Sequence, residues 1–167
     1  MSVRSKFEAQ LGPGLRQTGF EIKIPDCSRA YKPFDYVLGI PTEKCLRFVA
    51  IEAKRAVGWT LGNSAILPHQ ERALNLVESL QENSSWLAIG FLDIPRMKRD
   101  HTGRRIAENR KREAFIISWH DYLAARGKTS ISYGDIVAIE NSALEWAKIG
   151  KRYMWTIPKN HYLFSVW

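Results

Sequence analysis

Apolar residues in this chain alternate between two spacings, and the switches between them divide it into elements. Val3, Phe7 and Leu11 fall at i, i+4 and i+8, so Val3 to Leu11 reads as a short helix with one apolar stripe, which Pro13 and Gly14 interrupt. Phe20 to Ile24 (FEIKI) alternates as a half-buried strand does, and Pro25-Asp26 closes it. Two β-rich runs follow, Tyr36 to Ile40 and Leu46 to Lys54, separated by the turn-like Pro41-Thr42-Glu43-Lys44, which predicts a hairpin. Pro68 stands where a helix would start, and Ala73, Leu76, Val77 and Leu80 recur at helical spacing behind it. Trp86 to Ile94 and Ala114 to Ser118 are apolar enough for interior strands, leaving an exposed connection of about residues 95 to 112, a loop or a hairpin arm. After Trp119 the pattern predicts a helix ending at Gly127, a short helix near Tyr133 to Ile139 and a further helical stretch through Leu144.

Strands and helices mix without strict βαβ alternation, and there is no internal repeat, low-complexity tract or Gly/Ser linker. With 167 residues, 45% of them hydrophobic, the expectation is a single α/β domain over 1–167, a mixed sheet flanked by helices. No run approaches the ~18 apolar residues needed to cross a bilayer, and the N-terminus lacks a signal-peptide core. A cytoplasmic location without membrane partners is therefore expected. Cys27 and Cys45 form neither a CxxC pair nor a Cys/His cluster and read as ordinary small side chains.

Charge narrows the partner. The formal net charge is +8 and the pI is near 9.7, so a polyanion gains free energy on this surface through counterion release. The segment Arg96 to Arg112 holds nine basic side chains when His101 is counted with its eight Lys and Arg residues. Six tryptophans are many for this length, but Trp86 and Trp119 flank strands and are better read as core than as base-stacking platforms.

The run LRFVAIEAK carries candidate chemistry. Period-2 geometry puts Phe48, Ala50, Glu52 and Lys54 on one face and Val49, Ile51 and Ala53 on the other. Two charges at the end of an apolar strand are costly unless paired, solvated or bound to a metal. Phosphodiester hydrolysis supplies a use for them: a carboxylate-held divalent ion polarises the phosphate and acidifies a water, while a lysine orients that water or stabilises developing charge. Asp35, just before the hairpin partner strand, is the preferred second metal ligand. Asp26 competes for the role, because it follows Pro25.

The stretches KPFDYVLG, FVAIEAKRA and WTLGNSAILPHQERAL, in this order, resemble the RecU-type Holliday junction resolvases of the PD-(D/E)-x-K nuclease superfamily, and Gly127-Lys128-Thr129-Ser130-Ile131 extends the likeness downstream. The resemblance implies a restriction-endonuclease-like fold, Mg²⁺ or Mn²⁺ as cofactor, a homodimer, and paired nicks across a branched, four-way DNA substrate. It also implies that Asp35 and Glu52 ligate the metal, that Lys54 is the catalytic lysine, and that Gln70 supports the centre from the following helix. Gln70 otherwise reads as a polar helix-start residue. Glu8 resembles the acidic residue of the first helix, which reaches a metal or its water. His69 either touches DNA or favours the helix start.

One departure is plain. Only about ten residues, Pro25 to Phe34, stand where RecU-type proteins carry a long stalk, which brings the chain closer to the compact archaeal, Hjc-like resolvases. Part of the grip on DNA is then expected from Arg96, Lys98, Arg99, Arg104, Arg105, Arg110 and Lys111, with Arg29, Lys32 and Arg55 as further candidates. The rival readings are another PD-(D/E)-x-K nuclease (nickase, restriction or repair type) and a non-catalytic DNA-binding module.

Overall fold

The computed structural model of the chain describes residues 6–24, 32–99 and 101–166; the side chains of 93–99 and 105–111 lie outside that description. Its main sheet has five strands in the order β1 (Phe20–Lys23), β2 (Tyr36–Pro41), β3 (Leu46–Arg55), β5 (Ser85–Arg99) and β6 (Arg105–Ser118). Neighbours are antiparallel except β3 and β5, which run parallel. A parallel pair needs a crossover connection. Here it consists of a short strand β4 (Thr60–Gly62) and helix α2 (Pro68–Leu80). The fold is mixed α/β, with helices on both faces of a mixed sheet.

The alternation in β3 sorts its side chains as the pleat requires. Val49, Ile51 and Ala53 join one buried cluster with Phe7, Leu11 and Leu15 of helix α1 (Lys6–Thr18). Ala50, together with Leu87 and Ile89 of β5, joins a second cluster on the other face with Leu74 of α2 and with Trp119 and Tyr122 of helix α3 (Trp119–Ala125). Trp86 and Trp119 are fully buried, as core residues should be. Among the described residues no helix is long and apolar enough to cross a membrane.

Two elements differ from the sequence pattern. Helix α1 does not stop at Pro13 but runs on to Thr18. An internal proline costs a helical hydrogen bond, yet Phe7, Leu11 and Leu15 at i, i+4 and i+8 all bury completely, and tertiary packing of one stripe outweighs local propensity. Gly14 is where the helix approaches closest: a Cβ there would lie 1.5 Å from the Trp155 carbonyl oxygen. Val3, the expected start of the stripe, lies outside the described residues.

The second difference is the C-terminal region. After strand β7 (Ser130–Ser132) and helix α4 (Tyr133–Val137), the expected helical stretch through Leu144 is absent. Instead Ile116 N–H donates to Ser142 O and Leu144 N–H to Ala114 O, tying this segment to β6. A hairpin follows, β8 (Glu145–Ile149) and β9 (Arg152–Thr156), turning at Gly150 with φ +61°. Glycine at that position gives the hairpin turn a twist that suits its strands. Trp146 stacks on Tyr153 at 5.8 Å and packs against Trp155, so the alternating aromatics of EWAKIGKRYMW are cross-strand pairs.

The basic segment is the hairpin arm of the two alternatives. β5 and β6 stay paired far beyond their buried halves, through Arg96↔Glu108 to Arg99↔Arg105, with register shifts between Phe91 and Ile94 and between Ile94 and Arg96. Such irregularities bend and twist a ribbon. Its tip is an exposed turn, residues 101–104, with Gly103 at φ +81°.

Candidate active site

Glu52 and Lys54 lie side by side near the end of β3, and the strand register sets what faces them. The Tyr36↔Ile51 pairing would continue by placing Asp35 opposite Glu52. Instead Asp35 N–H also donates to Ile51 O at 3.0 Å, so two residues of the β2 side oppose one of β3, the arrangement of a β-bulge. The bulge re-aims the carboxylate. Asp35 Oδ2 accepts the Ala53 N–H at 2.9 Å, taking a bond that a backbone carbonyl would supply in a regular ladder. Asp35 is thereby fixed against the residue that follows Glu52.

Glu52 is 1% exposed. Its Oε1 accepts from Gln70 Nε2 at 2.7 Å and from Lys54 Nζ at 2.8 Å, whereas its Oε2 is buried with no hydrogen-bond partner among the described residues. Burial first, and then the Asp35 charge, push its carboxyl up to about 7, against the opposing pull of Lys54. Gln70, in the first turn of α2, is oriented at both ends: Nε2 holds Glu52, and Oε1 accepts from Lys54 Nζ at 2.9 Å and from Leu67 N–H at 3.1 Å. The helix-start role and the site role of Gln70 are therefore one arrangement. Its Leu67 bond forms half of a capping box, since a leucine offers no side-chain acceptor in return.

The structure brings Asp35, Glu52, Lys54 and Gln70 together. It adds Lys32, whose Nζ lies 2.5 Å from Asp35 Oδ1, so Lys32 belongs to this cluster. The sequence signal was an i, i+3 Lys-x-x-Asp spacing, which is too common to single out by itself. Glu8 sits in the first turn of α1, and its carbonyl accepts from the Tyr36 hydroxyl at 2.9 Å, one residue from Asp35. Among the described residues no three His, Cys, Asp or Glu side chains are grouped as a ready-made metal cage. Arg55 is exposed and His69 half-buried. Asp26, Cys27 and Arg29 lie outside the described residues, as do the side chains of Arg96, Lys98, Arg99, Arg105, Arg110 and Lys111; Arg104 at the turn is exposed. Cys45 is an exposed free thiol.

Asp35 and Glu52 fit a hard divalent cation. Asp35, just before β2, lies near enough to bear on the charge of Glu52 in β3, and Glu52 Oε2 has no hydrogen-bond partner among the described residues. An ion bound by two carboxylates completes its shell with water and substrate oxygen, as Mg²⁺ commonly does. A cavity of about 570 Å³, lined by residues such as Thr42, Lys44, Arg47 and Phe164, lies at the β2–β3 turn, at the opposite end of these strands. Compared with family models and with curated proteins, the chain matches none, and its functional reading rests on these residues and their geometry.

Proposed function

We propose that this chain is a metal-dependent endodeoxyribonuclease of the PD-(D/E)-x-K type that resolves four-way DNA junctions, with a restriction-endonuclease-like fold and kinship to the RecU-type and Hjc-like resolvases. The observation that carries the reading is the buried Glu52, bridged to Lys54 through Gln70, with one carboxylate oxygen unpartnered among the described residues near Asp35. A structural ion pair would satisfy both oxygens. A non-catalytic DNA-binding module would have no use for two carboxylates near phosphate, where each repels the ligand.

Asp35 and Glu52 would hold Mg²⁺ or Mn²⁺, which when bound supplies Lewis acidity and a water of lowered pKa. Lys54 presents an ammonium whose direction is set by Glu52 and Gln70, suited to orienting the attacking water and neutralising charge that develops on phosphate. Gln70 keeps that lysine and Glu52 in register with α2. The β5–β6 arm supplies sequence-independent phosphate contacts away from the reacting bond. Two such centres related by a two-fold axis in a homodimer would incise opposing strands and leave 5′-phosphates.

The same centre would serve a nickase or a restriction or repair nuclease, since bond-cleaving groups do not by themselves select DNA shape. The deciding experiment sets a four-way junction beside linear duplex and flap DNA, with and without Mg²⁺. Paired, Mg²⁺-dependent nicks on the junction alone support the proposal. Equal cleavage of all three substrates, or paired nicking by a species that scattering finds to be monomeric, would overturn the resolvase reading and leave a general nuclease.

A further inference from the structure

Every oxygen of the two carboxylates has a partner among the described residues except Glu52 Oε2. Asp35 Oδ2 is taken by the Ala53 amide, and Glu52 Oε1 by Gln70 and Lys54. Oδ1 of Asp35 is therefore the oxygen left to share a cation with Glu52 Oε2, and Lys32 Nζ holds it at 2.5 Å. The Lys32 side chain is only 14% exposed, so its ammonium has surrendered much of its hydration and leaves Asp35 readily only for another anion. Its backbone does not oppose such a move: residues 32–34 belong to no helix or strand and precede the β2 ladder.

Resting on the nuclease reading above, we propose that Lys32 is a resident counter-ion of the metal site, displaced from Asp35 by the divalent cation and then received by a phosphate of the DNA. Metal and DNA binding are thereby coupled. Without DNA the ammonium competes with the ion and keeps metal affinity low; with a phosphate at hand the ammonium has somewhere to go, and the ion enters at less cost. Coupling of this kind is reciprocal, each ligand raising affinity for the other.

The test uses the full chain as wild type, Lys32→Met, Lys32→Gln and Glu52→Gln, with thermal melts confirming that each is folded; the glutamine variant carries the same expectation as the methionine and replaces it if that variant unfolds. Mn²⁺ binding without DNA is followed by loss of the free-ion paramagnetic resonance signal. Removing a positive charge a few ångströms from the ion should tighten Mn²⁺ binding about tenfold or more in the Lys32 variants. Binding of a four-way junction is then compared in EDTA, where uncovering the Asp35 charge should weaken the variants only slightly, and in Ca²⁺, where they should bind severalfold more weakly than wild type. Unchanged Mn²⁺ affinity would overturn the counter-ion role, and equal weakening in EDTA and Ca²⁺ would reduce Lys32 to a plain DNA-binding side chain. If Glu52→Gln binds Mn²⁺ as wild type does, it is the metal reading itself that falls.

Discussion

Gln70 donates to Glu52 Oε1 at 2.7 Å while its own carbonyl oxygen receives the ammonium of Lys54, so a single amide fixes the carboxylate and the lysine to the start of α2. Gln70→Ala should lower single-turnover cleavage by about a hundredfold, because Lys54 loses its direction. It should also cost about 1 kcal/mol of stability through the unpaired Leu67 amide. Urea unfolding and a cleavage time course separate the two effects. A full-rate variant with only the stability loss would leave Gln70 as a helix-start residue and nothing more.

Glu52 makes the site costly to fold. Its folded-state value of about 7 lies above the 4.5 of an ordinary glutamate. The stability it contributes is therefore fully present below pH 4.5 and is lost as pH rises through 7. Metal-free Glu52→Gln should consequently resist urea better than wild type above pH 7, by at most about 3 kcal/mol, with the margin closing towards pH 4.5. The same variant, like Asp35→Asn, should lose cleavage while keeping junction affinity in EDTA, since each removes a ligand charge and adds none near DNA. An Asp26→Asn variant that fails while Asp35→Asn cleaves would move the metal site to Asp26.

The β5–β6 arm should govern affinity rather than chemistry. Neutralising Arg104, Arg105, Arg110 and Lys111 together should weaken junction binding and flatten its salt dependence, by about 0.9 in log–log slope for each phosphate that the arm no longer neutralises. Turnover at saturating DNA should hardly change, and the weakening should be similar for junction arms of any sequence. An unchanged salt slope would make the β5–β6 arm a solvated ribbon.

His161 provides an opposite pH signature outside the carboxylate cluster. It is 1% exposed, its Nδ1 accepts from Leu163 N–H at 3.0 Å and its Nε2 faces Ser142 O at 3.1 Å, which suits the neutral ring. Burial takes it down to about 4 from 6.5. The unfolded chain therefore binds the proton first, and stability is lost as pH falls from 6.5 through 4, by at most about 3 kcal/mol. Between pH 4.5 and 6.5 this opposes the Glu52 contribution, so each is read from the difference between wild type and its own variant. His161→Asn should show a flatter acid limb than wild type; an equally steep limb would assign the acid loss to other groups.

Local periodicity determined a good deal here. Alternation in LRFVAIEAK alone put Glu52 and Lys54 on one face, and the structure keeps them there because the opposite set, Val49, Ile51 and Ala53, is the one that buries against α1. Pro68 marked the start of α2, and the hydrophobic spacing of Phe7 and Leu11 marked the stripe of α1. Tertiary structure alone decided the rest. Whether α1 survives Pro13 depends on Leu15 finding the sheet, and whether residues 145–156 form strands depends on Trp146 meeting Tyr153 and Trp155 and on the Ser142 and Leu144 backbone meeting β6. The bulge that turns Asp35 towards Ala53, and the Lys32 ammonium that sits on it, are likewise beyond sequence pattern. Periodicity records which face of an element is apolar. It does not record which partner that face finds, or what burial beside a second carboxylate does to the ionisation of Glu52, because those energies come from groups brought together only by the folded chain.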